Sequence, residues 1–358
     1  MNKKIAIVHF HPLEKYPPVM NLIIDIKSLG IFQVLVFSIN NGNKFGNWFN
    51  FENAKIFRFG RIHGNKILRY CTYLQFNILA IIVLLLIKPK VLFAFESYSI
   101  IPVYIYKKLF PKTILFVHYH EYTSLEEVKN SSIYLKFLNS IEKRLFLSCD
   151  WVSQTNEDRL NLFLNDNPSI KYERSFFAPN LPPTDWYSYA IKAESEIKKH
   201  PYKMVHVGAL SLETMYLSDI VDWVIAQDGQ FILDFYTDNI TDDALNYLMM
   251  INSKYVNLFE SINYFKLPEV LINYDVGLTI YKGFIPNYIY NVPNKVYEYL
   301  ACGLQVWYSK DLITTDSLNI NSNDIENNTL LPTFLKVLHC KNYNSHDKIF
   351  VNKILSSV

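Results

Sequence analysis

Short, almost unbroken apolar runs alternate along this chain with longer segments in which apolar residues recur every three or four positions. Lys4–Phe10 is the first run, and Val19, Leu22, Ile23, Ile26 and Leu29 then keep helical spacing up to Gly30. Gln33–Ser38, Ala54–Phe59, Val91–Phe95, Thr113–His118 and Asp150–Ser153 predict further strands, and Ile133–Leu147 and Glu157–Leu164 predict helices. Strands apolar on both faces and separated by helices belong to a parallel sheet joined by right-handed crossovers. Ligands of such sheets gather at the carboxyl ends of the strands.

The Pro-rich segment Ala178–Asp185 can continue neither helix nor sheet and reads as a linker. Beyond it the alternation restarts. Lys203–Val207, closed by Gly208, then Phe231–Tyr236, Asn257–Phe259 and Asp275–Ile280 predict strands. Leu217–Ala226, Asp242–Ile251 and Lys266–Asn273 predict helices, and His346–Leu355 a final one. The pattern predicts an α/β protein of two Rossmann-like domains, residues 1–180 and 181–340, with parallel sheets facing across a cleft, and residues 341–358 as a closing helix. No repeat at solenoid periods is present, and the Asn-rich stretch Asn319–Asn328 is the one biased tract.

Leu74–Ile87 is nearly all apolar, but falls short of the ~20 residues that cross a bilayer, and Gln75 and Asn77 interrupt it. With Val91–Phe95 following at once, it predicts a buried helix feeding a parallel strand. The basic flank of Arg61, Lys66 and Arg69 leaves a second reading, a peripheral membrane contact.

Composition narrows the field. A chain of 358 residues, 50% hydrophobic, suits two globular domains. A net charge of +2 from 35 basic and 33 acidic residues speaks against a nucleic-acid partner. Cys71, Cys149, Cys302 and Cys340 lack disulfide or metal-ligand spacing, as expected of reduced thiols in the cytoplasm, and no apolar signal region opens the chain.

The stretch Asn291–Tyr308 carries the strongest chemistry. Pro293 and Asn294 start a helix, Val296, Leu300 and Ala301 supply its buried stripe, and Gly303 stops it before a short strand. Lys295 and Glu298 stand on one face of the first turn, where backbone N–H groups are unpaired and the dipole is positive. The pattern reads as a phosphate site, with Lys295 on phosphate oxygens and Glu298 accepting from ribose hydroxyls. The same spacing also suits an ordinary solvated ion pair.

The run Pro293–Val306 resembles the donor-binding signature of the GT-B glycosyltransferases of the large retaining class, which use nucleotide-activated sugars. In that class a Pro-x-Lys-x-x-Glu, a small-residue turn and a strand hold the nucleotide diphosphate and ribose. Pro179-Asn180 at the domain junction is similar to the class as well. The resemblance implies transfer of a sugar from a nucleotide-sugar donor to a saccharide or lipid-linked acceptor, in bacterial surface-polysaccharide synthesis, with neither metal nor cofactor. It also implies that Asn294, Lys295, Glu298, Gly208, Ser211, Lys282 and Asn291 surround the donor. Two departures stand out: Gly208–Thr214 lacks the Arg and Lys many members aim at the diphosphate, which leaves phosphate binding to Lys295 with its helix N–H groups, Ser211 or Thr214, and Lys282, and Tyr290 replaces a first Glu, which leaves the sugar and the stereochemical outcome open.

In the first domain, His118-Tyr119-His120-Glu121-Tyr122 ends a strand. As His-x-His-Glu it is only a weak zinc pattern. Its His-Glu-Tyr portion resembles a segment bordering the acceptor in many bacterial GT-B enzymes. That implies His120 and Glu121 as catalytic candidates, Glu121 as the base, with Tyr122 beside the acceptor; hydrogen bonding within a loop is the alternative. Glu96 follows Val91–Phe95, and His9 and His11 follow the first strand. The loop His9–Pro18 has no glycine for close approach to a phosphate, so His11 and Glu14, with Lys15 and Tyr16, read as acceptor contacts. Two other readings keep the fold: a nucleotide-sugar 2-epimerase and a degenerate binding protein without turnover.

Overall fold

The computed structural model describes residues 3–42, 46, 47, 49, 54–193, 201–316, 318, 331–338 and 348–357. The Asn-rich stretch 319–328 and Cys340 lie outside them. The chain divides into two compact units, Met1–Pro179 with Asp347–Val358, and Asn180–His346.

The first unit is built on seven strands: β1 (Lys3–His9), β2 (Phe32–Asn40), β3 (Ala54–Arg61), β4 (Val91–Phe95), β5 (Ile114–His118), β6 (Trp151–Gln154) and β7 (Ser175–Phe177). They pair in parallel in the order β3-β2-β1-β4-β5-β6-β7. Ile5, Ala6, Ile7 and Val8 are consecutive and all fully buried, which is why the strand has no polar alternation. The strand order reverses between β1 and β4, which makes the ends of these two strands the unit's topological switch point. In register, His9 lies opposite Phe95, Phe95 opposite His118 and His118 opposite Ser153. The helix Ile349–Ser357 packs on that face: the Phe350 ring meets Phe93, His118 and Phe176 at 5.8, 5.1 and 5.4 Å. Trp151 Nε1 donates to Ser357 Oγ at 3.2 Å, and Lys353 Nζ lies 4.0 Å from the Trp151 ring centroid.

Two crossovers differ from the sequence expectation. The helix Ile100–Leu109 between β4 and β5 was not marked by the apolar pattern; Pro102 sits in its first turn, where a missing N–H costs nothing. The predicted buried helix Leu74–Ile87 is in fact Lys66–Ile87, begun by the Asn65 side chain accepting from the N–H groups of Ile67 and Leu68 at 2.9 and 3.3 Å. Only Thr72, Phe76, Asn77, Ala80 and Leu84 are buried, while Leu74 is 63% and Leu86 75% exposed. One ridge of this helix meets the unit, with Phe76 against Phe10 and Phe59, and the opposite ridge faces outward.

The second unit holds β8 (Tyr202–Val207), β9 (Phe231–Thr237), β10 (Val256–Glu260), β11 (Val276–Thr279), β12 (Gln305–Ser309) and β13 (Leu335–Leu338). The order is β10-β9-β8-β11-β12-β13, parallel except for the edge strand β13, which runs antiparallel to β12 and was not predicted. Met204, Leu233, Phe235 and Leu278 of the sheet pack with Leu217, Ile220, Val221 and Val224 of the helix Leu217–Ala226. Here the switch point lies between β8 and β11. The helix Asn294–Ala301 is the crossover from β11 to β12 and buries Val296, Tyr299, Leu300 and Ala301. Tyr299 lies flat on β11 at Gly277, where any Cβ would fall inside its ring, and its hydroxyl accepts from Val207 N–H at 3.1 Å.

Candidate functional site

The second unit's switch point gathers three chain segments. Gly208 ends β8 with φ +124, a conformation that only glycine adopts without strain. Tyr281 follows β11. From the first turn of the Asn294–Ala301 helix, Lys295 reaches over both: its Nζ donates to the Tyr281 hydroxyl at 3.1 Å, and a Cβ on Gly208 would stand 2.7 and 2.8 Å from its Cε and Nζ. The lysine thus lies along bare backbone at the strand end. Burial pulls the Lys295 ammonium toward its neutral form, yet the Tyr281 hydroxyl and the Glu298 carboxyl outweigh it and raise its pKa, so the group stays cationic. No side chain caps the start of this helix.

Glu298 is 4% exposed and accepts from Asn294 Nδ2 at 2.7 Å. The described residues show no ion pair between Lys295 and Glu298, so the ordinary solvated pair that their spacing allowed is not what forms. Burial pushes the Glu298 carboxyl up to about 7, opposed by Lys295 and by the Asn294 hydrogen bond. His206 of β8, unmarked in the sequence, is fully buried with Nδ1 3.0 Å from Leu278 O and Nε2 3.3 Å from Ala209 O. Burial and the neighbouring Lys295 charge hold it down at about 4, so it stays neutral beside the cation.

The other expected donor residues are placed less directly. Ser211 Oγ accepts from Thr214 N–H at 3.2 Å, which shapes the loop after β8. Lys282 Nζ donates to Leu212 O at 2.9 Å and lies 5.6 Å from the Tyr216 ring centroid, so it props that same loop. Asn291 contributes its carbonyl, which accepts from Thr315 Oγ1 at 3.0 Å.

In the first unit the polar strand ends form a second cluster. Glu96, directly after β4, has φ +63, unusual for a residue with a side chain, and its Oε1 accepts from His120 N–H at 2.6 Å. Burial, reinforced by Glu121, raises the Glu96 carboxyl to about 8. Arg159 is buried beneath, with Nη1 donating to His120 O at 2.8 Å and to Thr155 Oγ1 at 3.1 Å. It went unmarked because a lone Arg in a helical segment reads as surface. His11 stacks on Tyr16 at 5.2 Å and His120 on Phe95 at 5.3 Å, while Glu121 is exposed. Burial holds His11 down at about 4. Both ring nitrogens of His9 are buried without a hydrogen-bond partner.

Two expected acceptor contacts are engaged in structural bonds. Glu14 turns inward, where Arg58 Nη2 donates to its Oε1 at 2.6 Å and Phe49 N–H to the same oxygen at 3.1 Å. The paired charge and the amide satisfy a carboxylate that the sequence reads as an acceptor contact. The buried Tyr122 hydroxyl donates to Asp166 Oδ2 at 2.6 Å. Among the described residues no cluster of three or more His, Cys, Asp or Glu is arranged to hold a metal ion.

Two doubly wound α/β units in one chain define the GT-B fold, shared by glycosyltransferases and nucleotide-sugar epimerases. The chain is similar to the sucrose-phosphate synthase from Thermosynechococcus elongatus, at 13% identity over 85% of this chain and 80% of that one, with a TM-score of 0.61. It is also similar to the trehalose-6-phosphate protein of E. coli bound with UDP-2-fluoro glucose, at 13% identity over 88% and 86%, TM-score 0.63. A third likeness is to the UDP-GlcNAc 2-epimerase from Methanocaldococcus jannaschii, at 13% identity over 85% and 82%, TM-score 0.52. Identities of this size establish the fold alone. No protein-family model and no curated protein sequence matches the chain.

Proposed function

We propose that this protein is a glycosyltransferase that binds a nucleotide-sugar donor at the start of the Asn294–Ala301 helix and passes the sugar to a saccharide or lipid-linked acceptor. The observation that carries the reading is Lys295, held as a cation at the second unit's switch point by Tyr281, against the side-chain-free backbone of Gly208. A helix N-terminus, a fixed ammonium and a glycine strand end together suit a diphosphate. Glu298, one turn further on, is assigned to accept from paired ribose hydroxyls. Breaking the bond between the anomeric carbon and the diphosphate builds negative charge on the leaving phosphate. Lys295 and the helix dipole stabilise that charge with donors already in position, without a metal. His11, Glu96, His120 and Glu121 at the strand ends of the first unit are assigned to the acceptor, with Glu121 as the base. The setting is the cytoplasm and the product a surface polysaccharide.

A 2-epimerase is the second reading, supported by the likeness to the M. jannaschii enzyme. A thermal-shift panel of nucleotides and nucleotide sugars, on the wild type and on Lys295→Ala and Glu298→Ala, tests the site. A ligand at 100 times its dissociation constant adds ~2.7 kcal/mol of stability. One nucleotide should stabilise the wild type and neither variant; no shift, or a shift surviving both substitutions, removes the donor site. With the donor known, release of free nucleotide in the presence of an acceptor marks a transferase, and an isomerised nucleotide sugar without acceptor marks the epimerase.

A further inference from the structure

The outward ridge of the Lys66–Ile87 helix is left largely exposed, with Tyr70 at its start meeting the Tyr134 ring edge-on at 5.9 Å. Tyr70, Leu74, Ile78, Ile82 and Leu86 recur every four residues, and all five are exposed. Residues four apart are neighbours on a helix surface, each rotated about 40° from the last, so they form a continuous apolar ridge that winds slowly around a helix ~33 Å long. A strip of this extent on a soluble face marks an interaction site. It widens at the start of the helix Ile133–Phe146, where exposed Ile133 and Phe137 flank Tyr134, whose ring stacks on Tyr73 at 4.9 Å with 4° between planes.

The charge around the strip identifies what covers it. From Asn53 to Phe95 the sequence contains seven Lys or Arg and not one Asp or Glu. The whole chain carries +2, so the remainder is net negative by five and the positive charge is concentrated here. Arg58 is taken by Glu14, but Lys55, Arg61, Lys66, Lys88 and Lys90 are exposed, and they bracket the apolar strip at both ends. Apolar side chains along a line, with cations at either end and no anion between, complement the acyl boundary and headgroups of an anionic bilayer.

We propose that the Lys66–Ile87 helix seats this protein on an anionic lipid surface, lying in the plane of the interface. It does not cross the bilayer. Thr72, Phe76, Ala80 and Leu84 are buried on its other side, with Phe76 against Phe10 and Phe59, so the helix cannot enter a bilayer on all sides without leaving the unit's core. A second copy of the chain fits worse, because two-fold pairing of this face would set its cations against one another. The inference is independent of the donor site, which lies in the other unit.

Flotation of the full chain with phosphatidylcholine vesicles, and with vesicles of phosphatidylcholine mixed with phosphatidylglycerol, tests it. The wild type should float with the anionic vesicles roughly tenfold or more above the neutral ones, and less so in high salt, since each cation near such a surface gives about a fivefold gain. Leu74→Glu combined with Ile82→Glu should abolish flotation, and Lys66→Glu should reduce it about fivefold or more. These positions are exposed, so an unchanged thermal melt shows the variants folded; the comparison of lipids with the wild type needs no variant at all. Carbonate at high pH should release the bound protein. Absence of wild-type flotation with anionic vesicles, equal flotation with neutral ones, or resistance to carbonate overturns the proposal. So does a concentration-dependent dimer broken by the same Glu substitutions, which would make the face a self-interface.

Discussion

Gly208→Ala tests the packing of the donor site at a single atom. The added methyl would carry two costs. At φ +124 a residue with a Cβ is strained by ~1–3 kcal/mol. The methyl would also stand 2.7 Å from Lys295 Cε and 2.8 Å from Nζ, closer than carbon tolerates. The lysine tip is flexible and would swing aside, giving up its hydrogen bond to Tyr281, worth ~1 kcal/mol at a half-buried site. Together the substitution should cost about 2–4 kcal/mol, lowering the melting temperature of the second unit by roughly 5–15 °C. Melting followed by circular dichroism reads this directly. Lys295→Ala removes the obstructing tip, so the double variant should be less destabilised than the sum of the two singles by ~1 kcal/mol. A Gly208→Ala protein within about 0.5 kcal/mol of wild type, or strict additivity with Lys295→Ala, would refute the placement of the lysine against this backbone.

Two further outcomes follow from charges inside the units. Glu298 ionises at about 7 in the folded chain against an ordinary 4.5, so its ionisation opposes folding: the cost is absent below pH 4.5 and complete once pH has risen through 7, at about 3 kcal/mol. Melts of wild type and Glu298→Gln across that range should converge at low pH and separate above neutrality with Gln the more stable, while nucleotide affinity in the wild type rises through the same interval; parallel curves would disprove the assignment. Arg58→Ala strands the Glu14 carboxylate, whose side chain is 1% exposed, and should cost about 3–5 kcal/mol in urea denaturation, with Glu14→Ala on the same background recovering part of the loss; a change under about 1 kcal/mol would show the pair to be incidental.

The first unit's sheet was legible because fully buried parallel strands such as Ile5–Val8 are written as unbroken apolar runs, whereas in the second unit β11 is buried throughout and β9 buries alternate residues. The short helix that carries Lys295 and Glu298 was legible because Pro293 and Asn294 mark its start and Gly303 its end, whereas the donor roles of the two side chains rest on the resemblance of the Pro-x-Lys-x-x-Glu run, since their spacing alone also suits an ordinary ion pair. Burial of a helix was not legible in the same way. Leu74–Ile87 was read as core because apolar residues on all sides of a helix do not reveal which ridge touches the sheet. Its true start at Asn65 depends on a cap whose signal preceded the apolar run by several residues. His206 and Arg159 were invisible because their roles depend on which carbonyls they meet in space. The left-handed backbone of Glu96 had no sequence signal either, since a glutamate there is held by its surroundings.

The helix Ile349–Ser357 belongs to the first unit, yet it is made after the whole of the second. A ribosome therefore releases the residues of the second unit while the face of β4, β5 and β7 that Phe350 will cover is still open. Phe93, His118 and Phe176 wait uncovered for the time it takes to synthesise residues 180–346, at roughly 5–20 residues per second. The first unit, begun first, is therefore completed last. A chain cut short before residue 347 would carry every residue of the second unit and a first unit still missing its last layer, which gives a chaperone an open face to hold.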